Sequence, residues 1–466
     1  MEHSNGSESV LSRRNVLAGA TALMGGVRSM NASALPKPPN ILYVHSHDSG
    51  RYVQPYGHAI PTPTLRKLAA EGVLFRSAFS AAPTCSPSRA ALLTGQCPHK
   101  NGMRGLAHRG FSLNDYSHHM LYTLRQAGYH SVLAGLQHIA SRPETIGYDE
   151  ILAHRSQSAV DVAPAAVAYL NRHPKQPFFL DAGFFETHRT YHQPTAEDDP
   201  HATAPPHTVP DCPQTRTDMA SYHASARVMD WGVGEILDAL ERNGLAGNTL
   251  VISTTDHGIA FPRMKCNLTD DGWGVSLIMR GPGGFQGGRV CDAMISQLDI
   301  FPTLCELNGL SSPGWLEGKS VLPVLRGETE EINDEVFAEV NYHAAYEPKR
   351  AVRTKRLKYI QRFGGRRTPV LPNCDDSPSK SLWLKHGWRE RLLPEEELYD
   401  LLFDPGEQNN LAASNASALA EMRGRLQRWM KKTDDPLLRG PVAAPHGARV
   451  NNPDGVSPTE PPIRIA

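Results

Sequence analysis

The sequence predicts an α/β protein: a mostly parallel sheet sandwiched by helices, followed by a smaller C-terminal α+β subdomain carrying an antiparallel sheet. Three observations support this. Apolar strand runs alternate with amphipathic helical stretches through the first two thirds of the chain, the pattern of parallel sheets covered on both faces. From about residue 335 the strand runs follow one another with no helices between them. The 466 residues are 40% hydrophobic and 21% charged, ordinary proportions for a chain with a real core.

In chain order, residues 1–34 stand outside this fold. Ser12-Arg13-Arg14-Asn15-Val16-Leu17 leads into an apolar stretch from Val16 to Val27 and then Ala32-Ser33-Ala34. Paired arginines, a short weakly hydrophobic region and an A-x-A site describe a twin-arginine export signal. The expectation is a periplasmic or secreted protein carried across the membrane already folded by the twin-arginine machinery. The apolar stretch is far shorter than the roughly 20 residues of a spanning helix, and no later segment reaches that length.

Residues 38–334 read as the main domain. Asn40-Ile41-Leu42-Tyr43-Val44 is a buried-strand run ending in His45-Ser46-His47-Asp48. Leu121–Ala127 reads as a short helix stopped by Gly128; the strand Ser131-Val132-Leu133-Ala134 follows, with His138 soon after. Val160–Arg172 reads as a helix, and Pro177-Phe178-Phe179-Leu180 begins a strand running toward Glu186-Thr187-His188. Val233, Ile236, Leu237 and Leu240 have i, i+3, i+4, i+7 spacing, which makes Met219–Asn243 an amphipathic helix closed by Gly244. Thr249-Leu250-Val251-Ile252-Ser253 is then a strand ending at Asp256-His257-Gly258. Ligands of such sheets sit outside the carboxyl ends of the strands. Four strand runs that end in, or soon reach, His or Asp therefore point to a metal or anion site.

Residues 335–433 read as the subdomain, with strands at Val336–Val340, Arg350–Gln361 and Glu397–Asp400 and a helix over Ala416–Lys432. Residues 434–466, proline-rich and aperiodic, read as a tail lying on the surface or disordered. Basic and acidic residues balance at 48 each, which argues against a nucleic-acid binder. Seven cysteines are an odd number, so at least one stands outside any internal disulfide, and no C-x-x-C pair suggests a zinc or thioredoxin-type site.

The richest segment is Cys85-Ser86-Pro87-Ser88-Arg89-Ala90-Ala91-Leu92-Leu93-Thr94-Gly95. Ser86 is a candidate N-cap and Pro87 suits a first helical turn, so Cys85 belongs at a helix N-terminus, where backbone N–H groups favour an anion and lower a thiol pKa. Arg89 lies one turn along, on the same side. On these grounds alone the segment is an anion-binding, reactive-cysteine site.

This C-x-P-x-R core with its Leu-Thr-Gly flank resembles the signature of the type I sulfatases. The resemblance spans nearly the whole chain, from Pro39-Asn40-Ile41-Leu42 through Asp256-His257-Gly258 to Glu397-Leu398-Tyr399-Asp400 and Asp404-Pro405-Gly406. Within that family it is most similar to the heparan N-sulfatase branch, through Asn101-Gly102-Met103-Arg104-Gly105-Leu106 and Asp256-His257-Gly258-Ile259-Ala260-Phe261-Pro262. The resemblance implies an alkaline-phosphatase-like fold and hydrolysis of sulfate esters or sulfamates of sulfated saccharides. It also implies conversion of Cys85 to formylglycine by a formylglycine-generating enzyme. One hydroxyl of the hydrated aldehyde would attack sulfur; deprotonation of the other would re-form the aldehyde and release sulfate. By the same resemblance Asp48, Asp256 and His257 would join the modified Cys85 around a divalent cation, expected to be calcium. Arg89 would hold the hydrated aldehyde and Lys265 would contact sulfate oxygens. His138 would serve the hydroxyl that is deprotonated, and His188 would face the leaving group.

The chain departs from the family pattern twice. Most members carry two adjacent aspartates where this chain has His47-Asp48; imidazole suits zinc or manganese better than calcium, so His47 either stays outside the metal shell or changes the metal preference. The lysine usually found two residues before the His138 position is here Leu136. Two alternatives follow: a phosphonate monoester or phosphodiester hydrolase of the same superfamily, or a non-catalytic binder of sulfated glycan. Nine Lys/Arg residues and no acid between Lys349 and Arg367 read either as a solvated sheet face or as a patch for a polysulfated glycan.

Overall fold

The computed structural model describes residues 37–466; the twin-arginine segment lies outside the described residues. The strands of the main sheet are β1 (Asn40–His45), β2 (Val73–Phe79), β3 (His130–Gly135), β4 (Glu150–Ile151), β5 (Phe178–Gly183), β6 (Thr249–Thr254), β7 (Leu277–Arg280) and β8 (Arg289–Ser296). They lie in the order β4-β3-β5-β1-β6-β7-β2-β8. The pairings β4–β3, β3–β5, β5–β1, β1–β6 and β2–β8 are parallel, and only β7 runs antiparallel to its neighbours. The four strand runs singled out by their His/Asp endings are thus four adjacent parallel strands, β3-β5-β1-β6, whose carboxyl ends share one edge.

Alternation within these strands explains why both faces are buried. Ile41, Tyr43, Leu133, Phe179 and Ile252 join one core cluster with the helices Cys85–Thr94 and Ile300–Leu307. Leu42, Val44, Val132, Leu180 and Val251 join the other, with the helices Ala159–Leu170 and Pro213–Arg242. Two apolar faces leave no polar alternation along a strand, so the runs read as continuous apolar stretches. The last helix begins at Pro213, not Met219, because Pro213 occupies its first turn and Cys212 and Thr215 form a capping pair ahead of the apolar stripe.

The subdomain sheet has the order β12-β11-β10-β9, all antiparallel, with β9 at Val336–Tyr342, β10 at Tyr346–Arg353, β11 at Leu357–Arg362 and β12 at Glu396–Asp400. The single strand expected over Arg350–Gln361 is a hairpin. Its turn has no Gly or Pro to announce it; the Thr354 N–H donates to the Leu357 carbonyl at 2.8 Å, and Thr354 Oγ1 accepts from the Leu357 N–H at 2.9 Å. One sheet face packs on the main domain through Ala338, Val340, Ala351 and Trp273, and the other takes the helix Ala416–Lys432 through Val352, Leu398, Met422 and Leu426. Residues 434–466 form a packed strap: Val442, Ala448, Val450 and Asn451 are buried, and Arg449–Val450 pairs with Ile463–Arg464.

Candidate active site

The carboxyl edge of β3-β5-β1-β6 brings together all the residues singled out above. Asp48 and His47 follow β1, His138 follows β3, His188 follows β5, and Asp256 and His257 follow β6. Cys85 opens its helix against them. Its Sγ lies 3.3 Å from His257 Nε2 and 4.0 Å from Asp48 Oδ1. Arg89 Nη2 donates to Asp256 Oδ2 at 3.0 Å and to the Ser46 carbonyl at 2.8 Å. Lys265 Nζ lies 2.7 Å from Asp48 Oδ2, 3.2 Å from His188 Nε2 and 2.9 Å from Asp375 Oδ2. Asp48, Asp256 and His257 are at most 2% exposed.

Two local features make this packing possible. Gly95 closes the Cys85 helix with φ 67 and returns its N–H to the Ala91 carbonyl, the left-handed cap that glycine adopts without strain. A Cβ on Gly183 would lie 2.0 Å from the Leu136 carbonyl oxygen and 2.4 Å from His45 Cε1, so only glycine lets the His45 ring lie there. That ring contacts Arg89 through Nδ1 and Asp181 through Nε2 at 2.8 Å, and Tyr148 donates to the other Asp181 oxygen. His45 and Asp181 thus orient Arg89 from behind.

Two expectations about Cys85 are corrected. The residue in N-cap geometry is Thr84, and Cys85 is itself the first helical residue; Ser86 Oγ instead accepts from the Ala107 N–H at 3.0 Å. The unmodified thiol is not acidified. Burial pushes its pKa well up, Asp48 and Asp256 push it the same way, and Lys265 only partly opposes them. The helix N-terminus is outweighed by desolvation and two carboxylates. Those carboxylates stay ionised: burial raises Asp48, but Lys265, His188 and His257 hold it well below the usual range, and His257, Arg89 and His47 do the same for Asp256.

His47 stays in the cluster. It is 1% exposed, its Nδ1 lies 3.0 Å from Asp256 Oδ2, and neither ring nitrogen has a hydrogen-bond partner among the described residues. His47, Asp48, Cys85 and Asp256 offer ligand atoms all within 4.8 Å of one another. Two ionised buried carboxylates beside a buried imidazole with neither nitrogen hydrogen-bonded among the described residues suit a divalent cation, and such buried atoms call for a partner that the protein itself does not supply. No cation stands at Leu136, which is buried.

Sequence reasoning missed several residues at this edge. Asp375 comes from the loop after β11 to hold Lys265. His343, in the β9–β10 turn, is 7% exposed with an unpartnered Nδ1, within electrostatic range of Lys265 and Asp375. Phe185 packs 4.8 Å from the His188 ring and 6.2 Å from that of His47, centroid to centroid, while keeping 36% exposure. His108 meets His138. Phe185 was within reach of sequence reading, since it lies two residues past the end of β5; the others come from distant segments.

The sulfatase family model matches residues 39–310, and the model for the C-terminal part of N-sulphoglucosamine sulphohydrolase matches residues 263–376. The chain is 30% identical to human N-sulphoglucosamine sulphohydrolase, covering 87% of this chain and 92% of that one. It is also 30% identical to an ulvan-active sulfatase of Formosa agariphila, over 90% of this chain and 86% of that one. A structure solved in complex with its substrate D-glucosamine-2-N,6-O-disulfate superimposes with a TM-score of 0.67 at 19% identity, covering 86% of this chain and 99% of that one; it shares the fold. With a signature cysteine at the carboxyl edge of such a sheet, and matches of this extent, the chain belongs to the sulfatase family.

Proposed function

We propose that this protein hydrolyses sulfate ester or sulfamate groups of sulfated saccharides, with Cys85 converted to formylglycine and a divalent metal beside it. The observation that carries the reading is the convergence of Cys85, Arg89, Lys265 and the four strand ends on one buried pocket. Asp48, Asp256 and His47 would hold the metal, with His257 and the modified residue 85 adjacent. Bound there, a divalent cation supplies Lewis-acid stabilisation of negative charge. The formylglycine hydrate supplies a nucleophilic hydroxyl and a second one for releasing sulfate.

The remaining work falls to the chain's own side chains. Arg89 and Lys265, each 2% exposed, put two fixed cations next to an incoming anion, and their burial strengthens both. Lys265 is kept charged: burial opposes its charge, but Asp375 and Asp48 outweigh it. His188 Nδ1 bonds to the Arg189 carbonyl, which turns Nε2 toward Lys265 and the leaving-group side. Phe185 offers an apolar ring at the mouth for a sugar face. Calcium, manganese and zinc are the candidate ions, His47 favouring the latter two over the family's usual calcium.

Mass spectrometry of the Cys85 peptide from a host able to make formylglycine should show the aldehyde; an unmodified thiol sinks the reading and favours a glycan binder. Parallel assays on an aryl sulfate, a sulfamate and a phosphonate ester should show turnover of the first two; preference for the phosphonate would point to the phosphohydrolase branch. Export through the twin-arginine route is part of the same proposal, supported by Arg13-Arg14 and Ala32-Ser33-Ala34.

A further inference from the structure

His108 was not among the residues expected at the site, yet it makes the only side-chain hydrogen bond to His138 among the described residues. His108 Nδ1 lies 2.9 Å from His138 Nε2, and the two rings stack with centroids 5.2 Å apart at 11°. The other ring nitrogen of His138, Nδ1, is buried with no hydrogen-bond partner among the described residues. A ring nitrogen of His138 also lies within 4.8 Å of ligand atoms of Cys85 and His47. His138 sits in a left-handed turn at φ 56, shaped by Gln137, whose Oε1 accepts from the Ile139 and Ala140 N–H groups at 2.6 and 2.9 Å. That turn sets the backbone, and the His47 ring packs 5.4 Å from the imidazole, centroid to centroid; the contact with His108 is the one side-chain hydrogen bond that orients it among the described residues.

The segment bearing His108 is itself anchored at both ends. The Ala107 N–H donates to Ser86 Oγ, beside the signature cysteine. On the other side Arg449 donates to the His108 carbonyl at 2.6 Å, and Arg109 donates to Asn451 Oδ1 at 2.6 Å and to the Pro458 carbonyl at 3.1 Å. The C-terminal strap therefore fixes a loop whose one exposed imidazole points at the site. A loop built only for its own stability has no use for this ring; stacked on His138, it leaves one ring nitrogen of that residue engaged and the other open.

We propose that His108 is a positioning residue. By bonding Nε2 of His138 it holds that imidazole in one orientation and one tautomer, leaving Nδ1 for the reacting group. The proposal rests on the sulfatase reading of the site, and it extends that reading to a residue outside the signature and outside the four strand ends. It also assigns the strap a function in catalysis, reached through His108.

Three variants test it. His108→Phe keeps the stack and loses the bond; His108→Asn keeps a polar group near the Nδ1 position; His108→Ala loses both. With 4-nitrophenyl sulfate and N-sulfoglucosamine as probes, His108→Phe and His108→Ala should lower kcat about 10- to 100-fold with KM within about twofold, and His108→Asn should regain most of it, as for other residues that orient a working histidine. Nitrogen-15 spectra of histidine-labelled protein should show one tautomer for the His138 ring in the parent and a tautomer mixture in His108→Phe. Unchanged kcat in His108→Phe, a rise in KM alone, or an identical His138 ring spectrum would each overturn the proposal. Should the parent turn over neither probe, the sulfatase reading falls, while the ring spectra still decide whether His108 orients His138.

Discussion

Two dense clusters of charge dominate this molecule, and they differ in one respect. In the basic run from Lys349 to Arg367, eight of the nine cations meet an acid brought from elsewhere. Lys349 pairs with Glu347, Arg350 with Asp435, Arg353 with Asp270, Lys355 with Glu331, Arg356 with Asp400, Lys358 with Asp270 and Glu407, Arg362 with Glu347 and Glu397, and Arg366 with Asp454. Arg367 alone has no acid partner among the described residues; it donates to the Leu393 carbonyl. At the carboxyl edge of the main sheet the cations Arg89 and Lys265 are paired too, but a cluster of buried polar atoms, mostly of imidazoles, is left over. Both nitrogens of His47, Nε of Arg89 and Nδ1 of His138 and His343 are buried without hydrogen-bond partners among the described residues. Three of the pairs, those of Arg353, Lys355 and Lys358, join the subdomain to the main domain; a cluster of unpartnered buried imidazoles marks where a ligand is expected. The basic run is therefore an ion-pair network, and the expectation of a glycan-holding patch there is set aside.

The sharpest break of this contrast is Cys85→Ala, which should cost more than about 10³-fold in turnover with little change in thermal midpoint, since it removes chemistry and no cohesion. Unfolding on that change would make the edge structural. Arg350→Ala should do the reverse. Fully buried and paired with Asp435, Arg350 leaves an uncompensated carboxylate behind, so denaturant titration should show a loss of about 3–5 kcal/mol, with turnover per folded molecule retained.

A smaller effect carries a pH signature. His99 bonds to Glu339 across the two domains; burial lowers its pKa, but the charge and hydrogen bond of Glu339 outweigh that, and the net shift is upward. A histidine raised in the folded state stabilises fully below its unfolded value of about 6.5 and loses that contribution as pH rises through the raised value. The stability gap between the parent and His99→Gln should accordingly be widest on the acid side and narrow toward alkaline pH. A gap that widens with pH would contradict the pairing. Least affected should be the double change Arg366→Glu with Arg367→Glu. These side chains are partly exposed, so KM for a sulfated polymer should hold and stability should move by less than about 1 kcal/mol. A marked rise in KM for polymer, with none for an aryl sulfate, would restore the patch.

Much of the fold and of the candidate site was legible in the sequence because the signals are local. A strand buried on both faces has to be apolar along its length, and its loop begins where polarity returns; that alone located Asp48, His138, His188 and Asp256. The helix after Cys85 was visible in Pro87, which suits a first helical turn. Local reading failed where the competitor was also local, as with Thr84 rather than Ser86 at the cap and a hairpin turn made by Thr354 without glycine.

What the sequence by itself determined was the layered α/β architecture, the four strands β1, β3, β5 and β6 that carry the site, and the signature cysteine with its arginine, since periodicity, sterics and residue chemistry act over a few residues; β2, β4, β7 and β8 went unread. What only the tertiary structure decided was the environment of those groups. The acids that neutralise the basic run come from residues as far apart as Asp270 and Asp454, His108 reaches His138 across 30 positions, and Cys85 becomes less acidic instead of more. Electrostatics and desolvation depend on distance in space, and distance in space between far segments is set by packing.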